Sequence, residues 1–328
     1  MTATSTSPLL EVSGLQVEVQ GERGIGRAVD GVSFTIAAGE TLGLIGESGS
    51  GKSLSCLSVL RLNPRPMTRI AGGSVRFAGQ ELLDLDEPAM RAYRGRRIAM
   101  VLQDPMTALN PVFTIADQMG ESLSLHRGLR GAAMTAVATE LLRRLRVPDP
   151  PRVLRSYPHQ LSGGMRQRVV GAIALAGEPS LLIADEPTTA LDVTVQAAYL
   201  ALLRRLQRET GLAILFVTHD LGVVARICDR VAVMYGGRIV ETASAAALFS
   251  RPSHPYTRAL LKALPDVTQR PERLDPIPGQ PPSVFAEKRG CLFAPRCAEA
   301  RPECREAAPP ETVLAPGHVV HCFARSAA

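Results

Sequence analysis

Short, unbroken apolar runs recur along the chain, each leading into a polar, glycine-rich or acidic turn. Leu42 to Ile45 is the first, followed by "GESGSGKS" and then "LSCLSVL", whose apolar spacing is helical. "SLLIADEP", Ser180 to Pro187, places four apolar residues before an Asp-Glu pair. "LAILFVTHD", Leu212 to Asp220, ends another apolar run on His219. Runs of this length without polar alternation predict strands buried on both faces, as in a parallel sheet covered by helices. "RVAVMYGGRIVET" reads as two short strands around Gly236-Gly237, a hairpin. Alternating strands and helices of this kind predict an α/β domain with a largely parallel sheet.

No apolar run approaches the roughly 18 residues needed to cross a bilayer. The polar start, MTATSTSPLL, lacks the basic and apolar regions of a signal peptide, which predicts a frayed tail over residues 1–8 and a cytoplasmic chain. At 328 residues, 45% hydrophobic and 21% charged, the chain is long enough for more than one domain and ordinary for a globular protein. The net charge of +6 changes little. Its basic residues are scattered and only three are lysine, Lys52, Lys262 and Lys288, an arginine bias that fits a GC-rich genome better than a nucleic-acid surface.

The strongest chemistry lies at Gly46, Glu47, Ser48, Gly49, Ser50, Gly51, Lys52 and Ser53. A glycine-rich turn between a strand and a helix, closed by Lys-Ser, is a P-loop. Its backbone N–H groups and the helix N-terminus cradle phosphate oxygens. Lys52 is expected to reach the β- and γ-phosphates and the Ser53 hydroxyl to bind Mg²⁺. Asp185, ending a buried strand, is expected to hold the Mg²⁺ shell, and Glu186 to polarise the attacking water. Two carboxylates there are costly unless a cation and water use them. His219, also at a strand end, reads as a γ-phosphate contact. Cys56 and Cys228 fall in apolar helical surroundings and read as core.

"LSGGMRQRV", Leu161 to Val169, brings Ser162, Gly163 and Gly164 to another helix start. Here the chain resembles the ABC-type ATPases, whose signature loop this matches. Gln103 in "MVLQDPMTALNP" is similar to that family's Q-loop glutamine, and Asp192 in "ALD" to its D-loop. The resemblance covers residues 9–265. It implies a P-loop ATPase domain with a mostly parallel sheet core, an antiparallel β-subdomain and a helical subdomain at about 107–178 that docks on a membrane permease. It also implies ATP and Mg²⁺, the latter held by Ser53, Gln103 and Asp185. Catalysis would fall to Glu186, His219, Lys52 and Gln103, and each ATP would lie between two ABC subunits, with Ser162, Gly163, Gly164 and Asp192 serving the partner's nucleotide. The P-loop and signature occur once each, so the chain must pair.

"RPSHPYTRALLKALP", "PIPGQPPS" and the cysteine-rich end resemble the ATP-binding subunits of bacterial dipeptide and oligopeptide importers. The implied partners are a second ATPase subunit, a paralogue rather than a copy, two transmembrane permeases and an extracytoplasmic substrate-binding protein. The implied place is the cytoplasmic face of the membrane. The alternative cargo is nickel or another small solute. The alternative class, a soluble ABC ATPase acting on DNA or ribosomes, lacks support in the chain, which has neither two ATPase units nor strongly basic inserts.

Four cysteines gather in residues 266–328, the expected C-terminal extension: Cys291, Cys297, Cys304 and Cys322. In a cytosolic protein they suit a metal better than disulfides. Four thiolates can hold Zn²⁺ or a [4Fe–4S] cluster. The spacing leaves both open, and the resemblance to peptide importers favours the cluster. His318 and His321 could replace a cysteine in a zinc site. The extension has little apolar material, so the metal is expected to act as a staple. One departure stands out. ABC ATPases stack adenine on an aromatic residue before the P-loop, but the corresponding place holds Val19, and Arg27 is the side chain that could lie on the base instead.

Overall fold

The computed structural model describes residues 7–102, 108–189, 191–263 and 276–325. It divides into two compact units, one built on Glu81–Val217 with Ile36–Thr41, the other on Leu10–Thr35, Leu42–Gln80 and the chain from Thr218 onward.

In the second of these, β1 (Leu10–Gly21), β2 (Gly24–Ile36), β4 (Thr68–Phe77) and the two-residue β5 (Gln80–Glu81) form a sheet in the order β2-β1-β4-β5. β1 and β4 are antiparallel, Leu10 opposite Phe77 and Val19 opposite Thr68. β1 buries Leu10, Val12, Leu15 and Val17. The alternation slips by one between Val12 and Leu15, where Gly14 adopts φ 59 and the register shifts. A bulge of this kind keeps the apolar set on one face on both sides of the slip.

Another sheet passes through the same unit. β3 (Thr41–Ile45) runs parallel to β9 (Arg230–Tyr235), Leu42 opposite Arg230 and Ile45 opposite Val233. β9 turns into antiparallel β10 (Arg238–Ser244) through Gly236 and Gly237, at φ 57 and 89. Two left-handed residues make the tight hairpin that the Gly-Gly pair predicts. The C-terminal extension adds a hairpin to this sheet. β12 (His318–His321) pairs with β10, Val320 opposite Glu241, and β11 (Glu311–Ala315) pairs with β12. The extension also contributes Phe293, buried against Tyr235 and Tyr256 with ring centroids 5.3 Å from each.

In the other unit, β6 (Ile98–Val101), β7 (Leu181–Asp185) and β8 (Ala213–Val217) are parallel, with Leu181 opposite both Ile98 and Ala213. β7 and β8 are buried throughout, as their unbroken apolar runs require. Between residues 108 and 178 every longer element is helical, including Ile115–Arg127, Gly131–Arg144 and Gly163–Leu175. Among the described residues no helix is long and apolar enough to cross a membrane.

Candidate functional site

The P-loop follows from β3. Its five residues are buried, and the chain leaves them at Gly46, φ 152, where a Cβ would come within 2.2 Å of the Met234 carbonyl. At Gly51, φ 99, a Cβ would lie 2.7 Å from the Ala28 carbonyl. These two glycines are required by close backbone approach, and they let the loop turn back onto the helix Lys52–Val59. The loop wraps the Lys52 ammonium, which donates to the carbonyls of Gly46 (2.8 Å) and Glu47 (2.9 Å) and to Ser50 Oγ (3.3 Å). Ser53 opens the helix, half-buried, and Ser48 and Gly49 are exposed at the tip.

His219 belongs to the same unit. The Thr218 amide donates to the Leu44 carbonyl of β3, so the chain enters the histidine beside the P-loop strand. Asp220 then caps the helix Leu221–Ile227, accepting from the amides of Gly222 and Val223.

The other unit holds the acidic pair. Asp185 ends β7 only 4% exposed. Glu186 follows at φ 47, a left-handed conformation unusual for a glutamate, with its amide bonded to the Val217 carbonyl of β8 and its carboxylate accepting from Thr189 Oγ1 at 3.1 Å. Ser162 caps the helix Gly163–Leu175 through the Met165 amide, and Asp192 caps Val193–Thr210 through Thr194 and Val195. The two helix starts are neighbours, because a Cβ on Gly164 would sit 2.9 Å from Val195 Cγ1. Gln103 lies outside the described residues.

The four C-terminal cysteines line one small cavity, with His254 and Phe293 in its wall. Two of the sulfurs accept a backbone N–H, Cys297 from Glu299 and Cys304 from Arg301, both at 3.4 Å, while the Ala294 amide donates to the Cys291 carbonyl at 3.0 Å. Burial pushes the Cys291, Cys297 and Cys322 thiols up, and nearby cysteines add like-charge repulsion. Among the described residues no group of three or more His, Cys, Asp or Glu side chains is placed to hold a metal ion. The expected metal centre is thus not shown by the structure, which gives only its raw material, four sulfurs lining one small cavity, two of them accepting an amide. His318 does not join it. Its Nε2 lies 2.9 Å from Glu241 Oε1, so it is committed to a buried carboxylate, and His321 lines a different cavity, beside β2 and β10.

Comparison with known proteins fixes the family. The ABC transporter family matches residues 29–189, and residues 240–304 match the family described as the oligopeptide/dipeptide transporter C-terminal region. A probable peptide ABC transporter ATP-binding protein of Sinorhizobium fredii is 51% identical over 96% of this chain and 94% of its own. A putative peptide import ATP-binding protein of Brucella abortus is 52% identical over 91% of this chain and 90% of its own. The chain belongs to the ABC transporter family. A dimeric ATP-binding cassette solved in a post-hydrolysis state with ADP and Pi superimposes with a TM-score of 0.65 at 28% identity, over 72% of this chain and 98% of that one. A component of an ABC transporter complex from Clostridium perfringens gives 0.64 at 25% identity, over 75% and 92%. The expected ABC ATPase fold, with its mixed sheet and helices, is therefore the fold observed.

Three side chains of this ABC cassette escaped the sequence reading, all contacting the P-loop or the strands beside it. Tyr256 Oη accepts the Glu47 amide at 2.9 Å. Arg296 reaches the Glu47 carboxylate. Phe285 lies against the β1–β2 hairpin, where a Cβ on Gly21 or Gly26 would come within 2.6 or 2.8 Å of its ring. Arg27 has another partner, its Nη1 sitting 3.1 Å from Asp30. The signals were faint. Two glycines spaced across a hairpin announce a close neighbour but not its identity, and Arg296 is one arginine among many.

Proposed function

We propose that this chain hydrolyses ATP to drive import of dipeptides or oligopeptides through a pair of membrane permeases. The observation that carries the reading is the joining of a P-loop cassette to an extension of the oligopeptide/dipeptide transporter type in one chain. Lys52, Ser53 and the loop amides from Gly46 to Gly51 hold the phosphates. Ser53, Gln103 and Asp185 are the residues that would hold Mg²⁺, which would supply neutralisation of charge on the transferring phosphoryl group. Glu186 orients and polarises water, and His219 steadies the γ-phosphate. Ser162, Gly163, Gly164 and Asp192 serve the nucleotide of a second ABC subunit, more simply a paralogue than a copy. Exposed Val112, Phe113 and Leu125 in the helical stretch suit docking to a permease. The chain thus works peripherally, on the cytoplasmic face, with an extracytoplasmic binding protein supplying cargo.

Cys291, Cys297, Cys304 and Cys322 would hold a [4Fe–4S] cluster, with Zn²⁺ as the alternative. Either supplies cross-linking to the extension. Anaerobically purified protein should carry about four iron atoms per chain with matching sulfide for the cluster, or one zinc. Neither metal would overturn the assignment.

The test of function is reconstitution with the permeases in vesicles. ATP hydrolysis should rise when binding protein loaded with a peptide is enclosed. Stimulation by a nickel complex and not by peptides would move the cargo to the alternative. Hydrolysis indifferent to permeases would refute the transport reading.

A further inference from the structure

The P-loop carries a carboxylate where a polyanion must bind. Glu47 stands second in the loop, and a bare carboxylate there would repel the phosphates that the loop amides attract. The structure places one guanidinium on it. Arg296 Nη1 donates to Glu47 Oε2 at 2.8 Å and Nη2 to Oε1 at 3.1 Å, a two-pronged pair. Its remaining donors are used as well, Nε on the Pro278 carbonyl, Nη1 on Tyr235 Oη and Nη2 on the Ile277 carbonyl. The side chain is 6% exposed, and its guanidinium carbon lies 5.7 Å from the Tyr235 ring centroid and 6.0 Å from that of Phe293. A guanidinium held at every donor and over two rings has one geometry available. It is built into place, unlike a surface ion pair.

The Glu47 backbone is held too. Its amide donates to Tyr256 Oη, and its carbonyl accepts from Lys52 Nζ. Side chain, amide and carbonyl of a single loop residue are therefore each fixed, two of them by residues that follow the P-loop by more than two hundred positions. Arg296 immediately precedes Cys297, so the turn that carries a cysteine of the extension also delivers the latch.

We propose that Arg296 is a positioning residue for nucleotide binding: it neutralises Glu47 and holds the outer turn of the P-loop in its phosphate-accepting form. The C-terminal extension acts on the nucleotide site in cis through this contact. The inference rests on the ATP-binding reading above. Without the latch the loop must be ordered at the moment of binding, which lowers affinity, and the freed carboxylate faces the phosphates.

Equilibrium binding of a fluorescent ATP analogue to the full-length chain tests this, with steady-state hydrolysis alongside. Arg296→Met is expected to weaken binding about tenfold, with turnover at saturation changed far less. Adding Glu47→Gln to Arg296→Met should restore most of the affinity, because the unneutralised charge is gone. Arg296→Lys, which keeps the charge but loses the fork, should fall between, and is measured in the same way should Arg296→Met fail to fold. A residue that only stabilised the extension would give no recovery on the second substitution. Unchanged affinity in Arg296→Met, or a double variant no better than the single, overturns the proposal. Failure of the wild type to bind the analogue would instead overturn the nucleotide reading itself.

Discussion

The buried carboxylate of Glu241 should prove to be the main anchor of the C-terminal hairpin. It lies on β10, 0% exposed, and accepts from the amides of Ser253 (2.8 Å) and His254 (2.9 Å) and meets His318 Nε2 at 2.9 Å. His318 sits on β12, so this contact joins a side chain of the hairpin to the sheet. Leaving a buried polar group short of a hydrogen-bond partner costs about 1–3 kcal/mol. Glu241 keeps its two amide donors when His318 is lost, so the loss stays within that range. For a unit of this size each kcal/mol moves Tm by about 2–4 °C, so His318→Ala should melt roughly 2–12 °C lower. Glu241→Leu should be worse, because it strands two buried backbone donors in addition to the imidazole. Scanning calorimetry reads the first effect, and hydrogen exchange over residues 311–321 locates it. If His318→Ala melts with the wild type and its hairpin amides stay protected, the pairing of β12 with β10 suffices alone and the anchoring role is refuted.

Glu186→Gln should bind ATP but hydrolyse it very slowly, accumulating closed dimers with Mg²⁺-ATP on size exclusion; near-normal turnover would remove Glu186 from the chemistry. Val19→Phe should lower the KM for ATP several-fold with kcat little changed, the mark of uniform binding. The chain has no tryptophan, so Phe285→Trp gives a single reporter beside the same hairpin. Its emission should be quenched by ATP more than by triphosphate alone, and equal responses would place the base elsewhere. Lys288 is desolvated, which pulls its ammonium down to about 8 although Asp30 opposes the shift. Limited acylation near pH 8 should therefore modify Lys288 ahead of the more exposed Lys262, and mass spectrometry showing Lys262 first would contradict it.

What could be read from the sequence were features encoded within a few residues. The strand, glycine turn and helix of the P-loop, the Gly236-Gly237 hairpin and the buried runs of β7 and β8 each carry their own apolar pattern. The β11–β12 hairpin does not. Along β11 every residue but Thr312 is exposed, and only His318 and Val320 of β12 turn inward. Its place is set by Glu241, 77 residues from His318, a pairing that no local periodicity announces. Arg296 and Phe285 were hidden for the same reason. Each sits in a proline-rich segment without repeat, and its partner, Glu47 in one case and Gly21 and Gly26 in the other, lies more than two hundred residues away. The four cysteines were legible as a group, but the cavity they share is built by irregular turns that bring together residues far apart in the chain.

The hairpin also decides where the sheet ends. With β12 paired to β10 at Glu241 and Thr242, the middle of β10 is covered, and the outermost strand is the five-residue β11, opened by Glu311. Short, charged outer strands discourage other chains from adding on. A chain cut before Glu311 would present the unpaired amides and carbonyls of β10 to solvent. Such a fragment should be prone to self-association through that flank even with every phosphate-binding residue intact, so solubility, and not catalysis, would be the first property lost on trimming the C-terminus.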